Sequence, residues 1–380
     1  MLDPFNSSTL STGLVGIVSL ALLAAVPQAH AKKQPKPPAA AASAPSTAQR
    51  DDPPDLVTYG RREDVMRFGA ELAERRGLDT AWVLGALQRA RFIPAVAKAI
   101  MPPPAGTAKN WALYRSRFIE PVRVRAGAAF WRANAQWLNE AQARYGVPPE
   151  IVVGIIGVET IYGQQMGNFR TLDALATLAF DFPTGRKDRS AFFRDELEGF
   201  FVLCQREGAD PLSLKGSFAG AMGMPQFMPS SANKYAIDFD GDGHIDLARS
   251  PADVIGSVAH YLAQFGWQRG LPTRFEVAVP VDASERAVLL GPDIVPSFGV
   301  PEFAARGARL SDAALAFEAA AATPMKLALV ELQNGDAAPS YVAGTANFYA
   351  VTRYNWSSYY ALAVIELGEA VAREVARDAR

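Results

Sequence analysis

One carboxylate inside an apolar run is the strongest candidate for chemistry in this sequence. Glu159 directly follows Ile-Val-Val-Gly-Ile-Ile-Gly-Val, which occupies positions 151–158. A helix that is apolar nearly all the way round is buried, and a buried carboxylate is costly unless it is paired or keeps its proton. A carboxylic acid that is protonated near neutral pH can act as the general acid on a glycosidic oxygen. The segment alone fits equally well a structural glutamate bound by backbone donors or by an arginine.

A second unusual segment spans positions 216–231 and combines three glycines with one amide side chain. Gly216, Gly220 and Gly223 allow the backbone to approach another helix or a ligand closely. Gln226 stands among Met224, Phe227 and Met228, which is unusual for a simple core. The segment therefore fits a ligand groove, and it fits tight turn packing equally well.

The next segment matches the start of an EF-hand calcium loop, D-x-D-x-D-G. The candidate ligands are four aspartates and one backbone carbonyl: Asp238, Asp240, Asp242, the carbonyl of His244, and Asp253. Gly243 supplies the sharp turn at position six. Arg249 occupies position twelve, where a bidentate glutamate is usual, so Asp253 would have to close a longer loop. Closely spaced aspartates repel one another unless a cation holds them, which favours a structural calcium ion over a solvated turn.

Composition excludes several other functions. The chain has 380 residues and a net charge of -1, so nothing in its charge indicates nucleic acid binding. Its single cysteine, Cys204, cannot form an internal disulfide and lies in an apolar stretch where it suits core packing. With three histidines in all, a histidine-based triad or zinc site has little support.

The N-terminal residues resemble an export signal. An apolar stretch at 13–26 is followed by Ala29-His30-Ala31, which fits a signal-peptidase site. No lysine or arginine precedes the stretch, which is atypical. We expect a signal peptide at 1–31, a disordered Pro/Ala-rich linker at 32–54, and a soluble protein exported to the periplasm. No cysteine follows the apolar run, so lipid attachment there is not expected.

Periodicity then predicts a mainly helical chain with one strand-containing insertion. Helices are predicted at 61–76, 79–90, 126–145, 171–180, 190–207, 251–265 and from about 357 to the end. Alternating residues near 275–281 and 325–332 predict strands. The expected units are a helical catalytic region at 55–268, a small strand-containing subdomain at 269–345, and a helical segment at 346–380 that returns to the catalytic region.

Taken together, these segments resemble the lytic murein transglycosylase B family. The resemblance rests on Gly-Val-Glu-Thr-Ile-Tyr-Gly at 157–163, the glycine-rich segment at 216–231, the aspartate loop, and Thr-Arg-Tyr-Asn at 352–355, in this order over about residues 60–375. It implies a mainly α, lysozyme-like (α+β) catalytic core with a deep groove. It further implies cleavage of the β-1,4 bond between N-acetylmuramic acid and N-acetylglucosamine in peptidoglycan, with a 1,6-anhydro product.

The resemblance also assigns roles to individual residues. Glu159 would be the single catalytic acid and base, because no second acid at short spacing looks buried. No cofactor is expected for catalysis. Substrate contacts would come from Ser217, Gln226, Tyr114, Tyr261, Tyr354, Asn355 and Tyr360. The expected partners are peptidoglycan glycan strands and other cell-wall enzymes, and we expect a monomer. Two other functions stay open at this point: a lysozyme-type hydrolase and a non-catalytic cell-wall binding protein.

Overall fold

The computed structural model describes residues 57–102 and 109–378, so the predicted signal peptide and linker lie outside the described residues. A 3-10 helix (Tyr59–Arg61) is followed by a helical region. Its helices are α1 (Glu63–Arg76), α2 (Thr80–Gln88), α3 (Pro94–Ala99), α4 (Trp111–Ser116), α5 (Pro121–Ala133), α6 (Ala135–Tyr145), α7 (Pro149–Thr160), α8 (Thr171–Phe180), α9 (Ser190–Arg206), α10 (Pro229–Tyr235) and α11 (Pro251–Gln264). Two short strands, β1 (Phe169–Arg170) and β2 (Lys215–Gly216), pair antiparallel within this region.

The single helix predicted over 126–145 is wrong, because Asn134 divides it into α5 and α6. Asn134 has φ −122° and ψ 23°, outside the helical region. Its side-chain Nδ2 donates a hydrogen bond to the carbonyl of Phe130 at 2.8 Å. Asparagine side chains compete in this way with the backbone bonds of a helix. The apolar periodicity continues through the break, so the pattern alone does not reveal it.

The catalytic candidate lies on α7, which packs along the long C-terminal helix α16 (Ser358–Asp378). A Cβ atom on Gly154 would lie 2.2 Å from the carbonyl oxygen of Val364. A Cβ atom on Gly368 would lie 2.0 Å from the carbonyl oxygen of Glu150. Only glycine fits at both positions, so the two helix backbones touch directly. None of the helices within the described residues is long and apolar enough to cross a membrane.

The strand-containing insertion has a hydrophobic cluster of its own. Its elements are β3 (Arg274–Phe275), β4 (Val277–Ala278), α12 (Ala283–Leu290), β5 (Phe298–Gly299), α13 (Val300–Ala305), β6 (Arg309–Leu310), α14 (Asp312–Ala320), β7 (Lys326–Asn334) and β8 (Ala337–Gly344), and α15 (Ala346–Thr352) follows. The larger sheet has the antiparallel order β3-β8-β7-β5. Phe275, Leu289, Phe303 and Leu327 are buried together in this cluster. The subdomain boundaries at 269–345 stay a prediction, and the three helices inside them were not predicted.

Candidate active site

Glu159 lies in the last turn of α7, directly after a run of buried apolar residues. Residues 151–158 are all buried, while Glu159 itself is partly exposed. Burial raises the pKa of its carboxyl group from 4.5 to about 8, and a hydrogen bond from Tyr360 partly offsets that rise. Burial and this hydrogen bond are the two causes of the shifted pKa of Glu159. The carboxyl group therefore keeps its proton near neutral pH, as the sequence predicts.

Tyr360 supplies a side-chain hydrogen bond to Glu159. Its hydroxyl donates to Oε1 of Glu159 at 2.6 Å. The Tyr360 ring is 1% exposed and stacks nearly parallel to the ring of Tyr354, with centroids 6.1 Å apart and an interplanar angle of 12°. Because Tyr360 belongs to the first turn of α16, the contact between α7 and α16 fixes this hydrogen bond.

The chain leaves α7 through two residues with left-handed backbone conformation. Ile161 and Tyr162 have φ of 51° and 55°, and neither is glycine. Each such residue costs about 1–2 kcal/mol, so surrounding contacts must hold the turn. Arg123 donates from its guanidinium to the carbonyl of Gly157 at 2.8 Å, and the same carbonyl accepts the backbone N–H of Ile161 at 3.2 Å. Thr160 donates from Oγ1 to the carbonyl of Met224 at 2.9 Å, which ties this turn to the 216–231 segment.

The sequence does not assign a role to Arg123. It lies 34 residues before Gly157 and is only 8% exposed. A buried arginine is unusual unless it is paired, but no motif in the sequence indicates that it binds the end of α7.

Ser217 and Gln226 lie within the segment that Thr160 contacts. Oγ of Ser217 accepts hydrogen bonds from the backbone N–H groups of Ala219 at 3.3 Å and Ala221 at 3.0 Å. Its own hydroxyl proton is therefore available to donate. Nε2 of Gln226 donates to the carbonyls of Met166 at 3.2 Å and Gly223 at 2.9 Å, which leaves Oε1 as an acceptor. Both side chains are largely buried, at 7% and 8% exposure.

The predicted sugar-contacting tyrosines fall into two groups. Tyr261 and Tyr354 are 2% and 3% exposed. Their hydroxyls donate to backbone carbonyls, of Arg353 at 2.7 Å and of Pro225 at 2.5 Å. With Tyr360 they form an aromatic wall next to Glu159. Tyr114 and Asn355 are partly exposed. Sugar contact stays a prediction for all five residues.

The aspartate loop brings three carboxylates together. Oxygens of Asp238, Asp240 and Asp253 lie within 4.8 Å of one another. Asp238 also accepts backbone N–H bonds from Gly241 at 2.7 Å and Gly243 at 2.8 Å, which fixes the tight loop. Burial raises the pKa of Asp253, and the charges of Asp240 and Asp238 add to that rise. A cation would relieve this repulsion, so the donor set fits calcium.

Two other predicted ligands have different surroundings. Oδ1 of Asp242 accepts from the N–H of His244 at 2.8 Å, and Asp242 is not part of the three-carboxylate group. The predicted ligand at His244 is its backbone carbonyl, and that assignment stays a prediction. Asp253, which the sequence places outside the short loop, joins the carboxylate group.

A mainly helical fold with a protonated glutamate at the end of a buried helix, hydrogen-bonded to a buried tyrosine, defines the class of lysozyme-like, glycan-cleaving enzymes. Residues 60–369 match the family model described as Transglycosylase SLT domain. The chain is 40% identical over 322 residues to membrane-bound lytic murein transglycosylase B of Escherichia coli K12, covering 83% of this chain and 84% of that protein. The chain therefore belongs to the lytic murein transglycosylase B family, and it is a peptidoglycan lytic transglycosylase.

Solved structures agree with this assignment. The Escherichia coli lytic transglycosylase SLT35 in complex with calcium is 38% identical, with a TM-score of 0.72 over 83% of this chain and 95% of that one. SltB3 of Pseudomonas aeruginosa in complex with NAG-anhNAM-pentapeptide is 31% identical, with a TM-score of 0.70 over 83% of this chain and 80% of that one. The predicted lysozyme-like fold is thereby confirmed.

Proposed function

We propose that Glu159 alone serves as acid and base in the transglycosylation, and that the product carries a 1,6-anhydro ring. The observation that carries this proposal is the carboxyl pKa of about 8, caused by burial, with no second acid contributing to it. A retaining hydrolase places its second carboxylate about 5–5.5 Å from the first. A carboxylate that close would act on Glu159, so the surroundings of Glu159 favour a one-acid mechanism.

In the first step, neutral Glu159 protonates the glycosidic oxygen as the bond to C1 of N-acetylmuramic acid breaks. Tyr360 donates to Oε1, so Oε2 is the oxygen that exchanges protons with substrate. The acetamido oxygen of the muramic acid stabilises C1 from within the substrate. Ser217 would act before this step, because its hydroxyl proton can donate to the acetamido group and orient it when the substrate binds.

In the second step, the O6 hydroxyl of the same sugar attacks C1, and carboxylate Glu159 takes its proton. One C–O bond breaks and one C–O bond forms, the proton passes from O6 to the leaving oxygen through Glu159, and no water is consumed. General acid–base catalysis by one group is most effective when its pKa lies near the working pH. A pKa of about 8 meets that condition for both steps.

The remaining groove residues bind rather than react. Oε1 of Gln226 is free to accept from a sugar hydroxyl, because its amide nitrogen is already held by two carbonyls. The partly exposed ring of Tyr114 offers both an apolar face and a hydroxyl, which suits a pyranose. Tyr261 and Tyr354 support the wall with hydroxyls that are already bonded inside the protein.

We also propose that the aspartate loop binds calcium as a structural ion. Asp238, Asp240 and Asp253 would hold it through carboxylate oxygens. The loop lies between α10 and α11, outside the turn that carries Glu159, so the ion would stabilise the fold and leave the chemistry to the protein. The calcium complex of SLT35 supports this proposal.

The biological setting follows from the same proposal. The substrate would be peptidoglycan glycan strands with their peptides, as the SltB3 complex with a muropeptide suggests. Such a substrate places the enzyme outside the cytoplasm, which is consistent with the predicted export signal. Periplasmic location, other cell-wall enzymes as partners and a monomeric state stay predictions.

Product analysis in water enriched in oxygen-18 tests the mechanism. We expect purified protein to release muropeptides whose mass is lower by one water than that of hydrolysis products, without heavy oxygen. Glu159→Gln should bind sacculi and release nothing. Heavy oxygen at C1 would identify a hydrolase instead, and binding without turnover by the wild-type protein would identify a cell-wall binding protein.

A further inference from the structure

Arg117 lies at the end of α4, one turn after the groove residue Tyr114. Its backbone N–H donates to the carbonyl of Tyr114 at 3.2 Å, and residues three apart share one face of a helix. The Tyr114 ring packs against Phe118 and Tyr359, with centroids 5.0 Å and 5.8 Å away. Tyr359 directly precedes Tyr360, so this face of α4 lies next to the residue that binds Glu159.

Electrostatics place the guanidinium on the same side. Burial raises the pKa of Tyr114, the carboxylate of Glu159 raises it further, and the charge of Arg117 lowers it. Both charged groups therefore act on one hydroxyl.

Unlike Arg115 and Arg123, Arg117 has no anionic partner within the described residues. Arg115 pairs with Glu366, and Arg123 is held by the end of α7 and lies 3.8 Å from Glu120. Arg117 is exposed, and none of the residues that the structure describes forms a side-chain hydrogen bond or ion pair with it. An unpaired guanidinium at a groove edge is suited to a carboxylate, which it can bind through two N–H donors.

We propose that Arg117 is a specificity-determining residue that binds a carboxylate carried by the N-acetylmuramic acid residue of the substrate. This inference rests on the proposed function, because it needs a glycan strand in the groove. N-acetylglucosamine is neutral, whereas N-acetylmuramic acid carries either a free lactyl carboxylate or a peptide stem with its own carboxylates. Arg117 would thus distinguish the two sugars and favour one register of the strand across Glu159.

The experiment compares three substrates with the full-length protein. The first is glycan with intact stems. The second is glycan whose stems have been removed by an amidase, which leaves a free lactyl carboxylate. The third is stem-bearing glycan whose carboxylates have been converted to amides. Arg117→Ala is compared with Arg117→Lys and with Arg125→Ala, which removes another exposed arginine from the neighbouring helix α5.

We expect Arg117→Ala to lower kcat/KM about three- to tenfold on the carboxylate-bearing substrate, mainly through KM, since an exposed charge pair contributes modestly to binding. The loss should shrink at high salt, and Arg117→Lys should recover part of it. A decrease of kcat/KM on the stem-bearing substrate alone identifies a stem carboxylate as the group that Arg117 binds. A decrease on the stem-free substrate alone identifies the lactyl carboxylate. Arg125→Ala should leave all three rates unchanged.

Three results for Arg117→Ala would overturn the proposal: an unchanged kcat/KM on all three substrates, an equal decrease of kcat/KM on the amidated substrate, or a shifted pH profile of kcat. The last result would mean that Arg117 acts on Glu159 itself. Cleavage is scored here as bond breakage irrespective of product. Hydrolytic products from the wild-type protein would therefore contradict the proposed mechanism without deciding the role of Arg117.

Discussion

The raised pKa of Glu159 gives the folded protein a pH-dependent loss of stability that glutamine should remove. The folded state binds a proton that the unfolded state has lost between pH 4.5 and about 8. The free energy of unfolding therefore falls as pH rises through that window. At pH 7 this loss amounts to about 3 kcal/mol for one such carboxyl group.

Glu159→Gln keeps the size of the side chain and an oxygen that can accept the hydrogen bond from Tyr360. The variant should match the wild type near pH 4.5, where both side chains are neutral, and become more stable as pH rises. For a chain of this size, about 2.1 cal/mol/K of unfolding entropy per residue converts 3 kcal/mol into a rise in Tm of about 4 °C near pH 7. Its turnover should fall about 10²–10⁴-fold.

The assay is a set of thermal melts from pH 4 to 8.5, with turnover on purified peptidoglycan measured for the same samples. Glu150→Gln serves as the activity control, because it changes a glutamate in the first turn of the same helix. It should retain turnover. Wild-type and Glu159→Gln melting temperatures that stay parallel across the range would refute the raised pKa. Turnover above about a tenth of wild type would refute the catalytic role.

Three further changes test other parts of the structure. Tyr360→Phe removes a hydrogen bond that lowers the pKa of Glu159, so the decline of kcat/KM at high pH should move to higher pH; an unchanged profile would mean that the bond does not form in solution. Gly154→Ala places a Cβ 2.2 Å from the carbonyl oxygen of Val364 and should lower Tm by several degrees. Gly85 has open space around it, so Gly85→Ala should leave Tm unchanged or raise it. Calcium at a hundredfold excess over its dissociation constant should stabilise metal-stripped protein by about 2.7 kcal/mol with little change in turnover, and a Tm indifferent to calcium would argue against the ion.

The sequence predicts those parts of the fold that have strong local signals. The predicted bounds of α8 agree with the structure, and α11 ends one residue earlier than predicted. Pro251 begins α11 as a first-turn proline, and apolar residues recur at helical spacing along this helix. The buried helix around Glu159 is evident for the same reason, because a long run without polar residues can only be buried.

Contacts between residues far apart in the chain leave no signal in the local sequence pattern. The hydrogen bond from Tyr360 to Glu159 joins residues 201 positions apart, and the resemblance suggested a sugar contact for Tyr360 instead. β3 and β4 have two residues each, too few for an alternating pattern to define, and β3 pairs with β8, which lies far along the chain. Such elements exist because tertiary packing supports them, which local propensity does not encode.

The tyrosine contact also explains how one carboxyl group can serve two opposite steps. Burial among apolar residues favours the neutral form of Glu159, which the first proton transfer needs. The hydrogen bond from Tyr360 favours the charged form, which the second transfer needs, and it is maintained because α7 and α16 touch at glycines. With burial alone the carboxyl group would hold its proton too tightly to donate it to the glycosidic oxygen, and with the hydrogen bond alone it would be ionised before substrate binds. The pKa of about 8 reflects the balance of the two effects, and it lies where neither proton transfer is strongly uphill at neutral pH.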